Sequence, residues 1–426
     1  MSRHPASPLA ARLWWLGLAF GLGAGVVVGT GLAAESIDPR RPAVVVVGEP
    51  RGFTPRERFG PSRHGLAPAS LPDRPKELWR QELPGGLEAL PLVDSEGSVL
   101  AVLSNRMATK LGPDGQERWR VSLRGADPAL PPVLTADGSL AVLCADGRMR
   151  WLSATGTLRV SDELELRTRK AQATPLALDD GGLVVAGEDQ LLLLGADGSP
   201  QARADLSGVA VGGLLGWEGA TVATLQSGEV VGWRPPAPPR VLGTLGGIPN
   251  GGAVLVGSRT LAAVVDTTTL VALDLRSGEA KLLTGGPAAQ RQLEGPPTLG
   301  ADGTLWVSSV VGELLGFDAH GTVGHRLALD SSLVLDTADG GAPVASFFGR
   351  VDLQPSPPLV IDGDGRLGFV RASGRVGLLG PGTTGAVTVV APRFCGRPLG
   401  VTSAGRRRML VGCRNGSIGV FGDGDT

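Results

Sequence analysis

Pro175–Leu206 reads PLALDDGGLVVAGEDQLLLLGADGSPQARADL, and its pattern decides the fold. Three Gly-containing clusters, Asp179-Asp180-Gly181-Gly182, Gly187-Glu188-Asp189 and Ala196-Asp197-Gly198, separate four short runs. Glycine takes the φ > 0 that tight hairpin turns demand, so each cluster is a turn. The runs between are strands: Leu176–Leu178, Leu183–Ala186, Leu191–Leu194 and a polar strand ending at Leu206. The second and third are apolar throughout, as expected for the buried middle of a small antiparallel sheet. One such sheet cannot cover both its faces and has to stack on copies of itself.

The chain carries those copies. Leu90–Leu123, Pro131–Leu166, Gly212–Leu245, Gly251–Thr284, Pro296–Leu329, Pro357–Ala391 and Gly396–Phe421 follow the same plan. The third-turn glycine falls at Gly115, Gly156, Gly198, Gly278 and Gly321, about 41, 42, 80 and 43 residues apart, which is propeller-blade spacing. The long step holds two units, one with Pro-rich Arg234–Arg240 at that turn. The second turn recurs as Asp146-Gly147, Ser227-Gly228, Val311-Gly312, Ser373-Gly374 and Asn415-Gly416. The last unit stops one outer strand short. Glu77–Leu83 (ELWRQEL) resembles the outer strand Glu117–Leu123 (ERWRVSL) and supplies the missing one. The expected fold is all-β, an eight-bladed β-propeller of four-stranded antiparallel blades, closed by an N-terminal strand; seven blades is the alternative. Closure removes the exposed edges that make open sheets aggregate.

Composition agrees. A chain of 426 residues exceeds a single core unless that core is divided into layers. Its 66 glycines exceed the usual share of about 7% and sit at turns along the whole length. The net charge of −1 excludes the broad basic field of a nucleic-acid binder.

The beginning of the chain is of another kind. Arg3, His4 and Arg12 precede an uncharged run, Leu13–Ala34. Residues 1–34 are expected to be an export signal or an N-terminal membrane anchor, since the run is longer than most cleaved signals and sufficient to span a bilayer. Gly17, Gly21, Gly25 and Gly29 recur every fourth residue, which would also suit a helix–helix contact in lipid. Either way the remainder is expected outside the cytoplasm, periplasmic or otherwise extracytoplasmic. Residues 35–76, rich in Pro and Arg, are expected to be a disordered linker, and 77–426 the propeller. An insertion, 330–355, breaks the period between the sixth and seventh units.

The units resemble blades of the PQQ-like repeat propellers. Val271–Glu279 (VALDLRSGE) matches that family's strand–Asp–turn–Gly pattern best, followed by Lys110–Trp119 (KLGPDGQERW) and Gly316–Gly321 (GFDAHG). Trp at the outer-strand position survives only at Trp79 and Trp119. The family includes quinoprotein dehydrogenases and, in its non-catalytic BamB-like branch, the propeller subunit of the outer-membrane β-barrel assembly machinery. The resemblance implies fold more firmly than function.

Candidate chemistry is sparse. The dehydrogenases use adjacent cysteines against the quinone, and Glu, Asn and Asp around calcium. Here Cys144, Cys395 and Cys413 are all apart, and Asn105, Asn250 and Asn415 lie at expected turns. No catalytic, cofactor-binding or metal-binding residue is therefore assigned, and no cofactor. Asp362-Gly363-Asp364-Gly365 has the alternating carboxylates of a calcium loop but occupies a first-turn position, so a turn is expected. His320 and His325 with Asp318 would need a further ligand to hold metal. Cys395 and Cys413 come nearly opposite if Gly396–Thr402 and Met409–Cys413 form a hairpin turning near Ala404-Gly405. A disulfide and two buried thiols both remain open; Cys144 is a core residue. The insertion with Phe347 and Phe348 reads as loop padding or as a partner-binding loop, and both readings stay open.

The resulting expectation is an exported, non-enzymatic propeller that binds or scaffolds envelope proteins, with Leu13–Ala34 as a membrane tether. Alternatives are a PQQ/calcium-dependent quinoprotein oxidoreductase and a glycan- or small-ligand-binding propeller.

Overall fold

The glycines that mark turns in the sequence do take the left-handed backbone: φ is 79° at Gly115, 84° at Gly156, 82° at Gly198, 75° at Gly278 and 84° at Gly321. Between the turns run 32 strands and no helix, in the residues that the computed structural model describes: 67, 69–284, 293–309, 313–318, 320–328, 359–370, 374–380, 387–391 and 393–424. The chain divides into two compact units, Met1–Asp38 and Pro39–Thr426, and all described residues belong to the second. Residues 1–34, expected to be an export signal or anchor, and the insertion 330–355 lie outside the described residues.

The strands form eight four-stranded sheets, each antiparallel and each in chain order except the last. The unit first quoted is blade 3: Leu176–Ala177, Leu183–Ala186, Gln190–Leu194 and Pro200–Asp205. Its first three strands are mostly buried and its fourth mostly exposed, which places the fourth on the outside of the ring. Apolar side chains on the two faces of each sheet meet those of the neighbouring sheets. Eight buried clusters result, one per adjacent pair. At blades 8 and 1, Ala404, Leu410, Ile418 and Val420 pack with Val93, Val99, Ala101 and Leu103, so the ring is continuous. Each fully buried Val or Leu contributes about 1.5–3 kcal/mol. The architecture is an eight-bladed β-propeller.

Blade 8 is completed from the other end of the chain. Pro398–Gly405, Arg408–Cys413 and Ser417–Gly422 are its first three strands, and Lys76–Glu82 pairs antiparallel with Ser417–Gly422 as the fourth. Its first hairpin turns later than the sequence reading placed it. Arg406 and Arg407, with φ of 45° and 56°, form the turn, because a bulge between Ser403 and Gly405 carries the first strand further. Described structure also precedes Lys76, within the stretch read as linker. Leu71 is fully buried in the cluster between blades 7 and 8, and the Ala67 N–H donates to Ile361 O at 2.5 Å. An apolar side chain and a set of charged partners order this end of the Pro/Arg-rich segment.

Candidate functional site

The carboxylates that resemble ligand sets hold backbone. Asp362, fully buried, accepts the N–H groups of Asp364 and Arg366 at 3.0 and 2.8 Å and that of Leu71 at 2.7 Å. Arg366 lies where a cation would sit, with nitrogens 2.5 Å from Asp73, 3.2 Å from Asp362 and 2.7 Å from Asp364. Arg407 bridges Asp73 and Asp423 at 2.8 and 3.7 Å, and the Ser70 hydroxyl donates to Asp364 at 3.1 Å. The Asp-Gly-Asp-Gly stretch is therefore a turn that clamps Ser70–Arg74 across blades 7 and 8. Hydrogen bonds from Arg366 and Ser70 hold the Asp364 carboxyl below its ordinary range. Asp318 is likewise a turn residue, accepting from the N–H groups of His320 and Thr322 at 2.8 Å each, chiefly the latter holding its pKa down. Among the described residues no group of His, Cys, Asp and Glu is placed to hold a metal ion.

The cysteines have structural places. A disulfide joins Cys395 and Cys413, with Cα atoms 6.4 Å apart. Cys413 pairs in register with Pro398, so Cys395 reaches it from the loop before the strand and ties that loop to blade 8. Cys144 is buried, and burial pushes its thiol up to about 11 despite nearby Arg150. Phe347 and Phe348 lie outside the described residues.

The ring is locked by side chains from one blade set into the turn of the next. The Trp79 ring in blade 8 lies against Gly115, where an added Cβ would meet it at 2.7 Å, and its Nε1–H donates to Pro113 O at 3.0 Å. Trp119 repeats this on Gly156 and Ala154 O, also at 3.0 Å. Between blades 2 and 3 the task is shared. Trp151 covers Gly198, while Arg159, 4.2 Å above the Trp151 ring, donates to Ala196 O at 3.1 Å. In all three the accepting carbonyl lies two residues before the turn glycine.

Two surface features remain that sequence reading missed. Val241 and Leu282, 60% and 67% exposed, stand in the outer strands of blades 4 and 5, and Ile248, 60% exposed, lies in the loop joining those blades. Of the large hydrophobics exposed among the described residues, only Leu78 lies elsewhere. The other feature is a cavity of about 360 Å³ between blades 6 and 7, with Trp306, Ile361, Leu367 and Leu379 as its apolar lining and Asp302 and Asp364 beside them. Apolar residues at outer-strand positions were the available signal for the first. The second depends on how two neighbouring blades meet.

Solved structures resemble this one in fold. BamB from Moraxella catarrhalis matches over 84% of this chain and 94% of its own, with a TM-score of 0.51 and 13% identity. The computationally designed Ika8 protein matches over 82% and 99%, with a TM-score of 0.59 and again 13% identity. Catalytically inactive virginiamycin B lyase from Staphylococcus aureus, crystallised with quinupristin, covers 81% and 99% at a TM-score of 0.46 and 13% identity. No protein-family model matches the chain, and no curated protein sequence does. At 13% identity the likeness to BamB and to the designed protein is one of fold alone.

Proposed function

We propose that this chain is an exported, non-enzymatic β-propeller that binds another protein of the cell envelope, as a scaffold or adaptor. Three exposed apolar side chains on adjoining blades, Val241, Ile248 and Leu282, carry this reading. Large apolar side chains left exposed on the rim present surface that association with another protein would bury. The carboxylates and guanidiniums nearest to a ligand pattern are engaged in turns and blade closure, which leaves the rim and loops as the free surface. The BamB-like fold and the export segment read from Leu13–Ala34 agree with an envelope setting. The insertion 330–355, with Phe347 and Phe348, is a second contact of the same kind.

Photo-crosslinkers placed at Val241, Leu282 and Phe347 in intact cells test the proposal. One protein captured from the rim, and lost on Val241→Glu with Leu282→Glu at unchanged thermal stability, is the expected result. No captured protein from any of the three positions would remove it.

A further inference from the structure

From Leu367 to Gly422 the chain has eight arginines and no aspartate, glutamate or lysine. In a protein of net charge −1 this one run carries +8. It holds the last three strands of blade 7 and the first three of blade 8. At the end of blade 8 that bears its first turn the charge is met. Arg407 pairs with Asp73 and Asp423, and Arg408 donates to Pro113 O at 3.3 Å. At the opposite end it is not. Arg393 and Arg397 lie in the loop that enters blade 8, and Arg414 opens its second turn. All three are exposed, and none has an ion-pair partner among the described residues. Two carboxylates come near. Glu82 accepts the Ser417 hydroxyl at 2.7 Å, and Glu88 follows Leu87, whose N–H donates to Arg414 O at 3.2 Å. The balance stays positive.

We infer that this end of blade 8 docks an acidic segment, a run of Asp and Glu side chains, of a partner protein; the inference rests on the protein-binding reading above. The positions of the three arginines are fixed in advance. The Cys395–Cys413 bridge ties the loop of Arg393 and Arg397 to the strand that ends one residue before Arg414. The Arg414 N–H donates to Arg397 O at 2.8 Å, and the Phe394 N–H to Gly374 O at 2.8 Å. Loops set before binding keep the ordering cost of association low. Each guanidinium offers a fork of donors that matches a carboxylate. A membrane or a nucleic acid suits the surface less well. No large hydrophobic side chain is exposed in these loops to enter a bilayer. Phe394, their one aromatic residue, is buried against Phe421 with Arg80 over its ring, so none is left to stack on a base.

The test uses the whole protein and an oligoglutamate peptide carrying an uncharged dye, followed by fluorescence anisotropy. Salt is held at about 0.15 M, where charges more than about 8 Å apart are largely screened. Oligoglutamine with the same dye is the control, and the glutamate peptide alone is expected to bind. Arg393→Gln, Arg397→Gln and Arg414→Gln together should weaken it about tenfold at unchanged thermal stability. Arg406→Gln, at the far end of blade 8, should leave it unchanged. If the triple variant does not fold, Arg414→Gln takes its place, with about a twofold loss. No binding, equal binding of oligoglutamine, full affinity in the triple variant or loss in Arg406→Gln each overturns the inference. So does tighter binding to phosphatidylglycerol vesicles or to oligothymidylate, which would make the surface a membrane or nucleic-acid contact. Binding that begins only once residues 330–355 are deleted also overturns it, assigning the surface to the four aspartates of that insertion. Failure of the peptide with envelope capture intact removes this surface alone. Peptide binding with nothing captured in cells removes the partner reading instead.

Discussion

The indole N–H of Trp79 donates to the carbonyl of Pro113 at 3.0 Å, so the strand that completes blade 8 is also held by blade 1. Trp79→Ala removes this bond and the packing on Gly115, and is expected to cost about 2–3 kcal/mol. Trp79→Phe keeps a ring against the glycine and loses mainly the hydrogen bond, for about 1 kcal/mol. Urea denaturation of the two variants side by side measures both.

Asp362 is the buried centre of the clamp on Ser70–Arg74. Asp362→Ala leaves the buried Leu71 N–H without its acceptor and takes one of three carboxylates from Arg366, and is expected to destabilise the protein by about 3 kcal/mol. Asp73→Ala acts on a half-exposed pair and should cost no more than about 1 kcal/mol. Hydrogen exchange should show the loss in Asp362→Ala concentrated in blades 7 and 8. Uniform exchange around the ring would contradict a local clamp.

The Cys395–Cys413 bridge closes a sequence separation of 18 residues. Cys395→Ser with Cys413→Ser is expected to lower stability by about 3 kcal/mol, from chain entropy gained by the unfolded state. Calorimetry with and without reductant should reproduce that difference in the wild type and show none in the double variant. A non-reduced digest should return the two cysteines in one linked fragment.

Acid should weaken the fold in a defined direction. Despite desolvation, hydrogen bonds from Thr135 and Ser139 leave the Asp137 carboxyl below its ordinary range, and turn N–H groups do the same at Asp318. A depressed folded-state pKa gives stability that is complete above the unfolded value, near 4, and is lost as pH falls through the folded one. Unfolding midpoints should therefore drop below about pH 4, with a shallower slope in Asp137→Asn. At the alkaline end Cys144, raised to about 11, stays a neutral thiol in the folded state. Its contribution is lost as pH climbs from the unfolded thiol's range towards that value, and a maleimide at pH 8 should label it only after unfolding.

Turn chemistry made the blades legible. Glycine at a left-handed position is a local requirement, so Gly115, Gly156 and Gly198 mark the same turn without knowledge of any neighbour. Closure by the N-terminal strand was readable too, because Glu77–Leu83 repeats an outer strand and the last unit lacks one. Ser70–Arg74 escaped the same reading. Its order comes from Asp362, Arg366 and Arg407, almost 300 residues away or more, while its own composition is that of a linker. The Arg406–Arg407 turn was hidden because two arginines at positive φ break the glycine rule on which the other turns were read. The cavity beside Trp306 was invisible because it exists only where blades 6 and 7 meet.

The pairing of Lys76–Glu82 with Ser417–Gly422 sets an order of events as the chain is made. The Ser417 hydroxyl reaches Glu82 across a separation of 335 residues, so the first of the described strands waits longest for its neighbour. Until Ser417–Gly422 is made, blade 8 cannot be completed, and a nascent arc carries two unpaired ends. Ser417–Gly422 are thus the residues that turn a row of sheets into a finished object, and a chain cut short before them would be sticky at both ends.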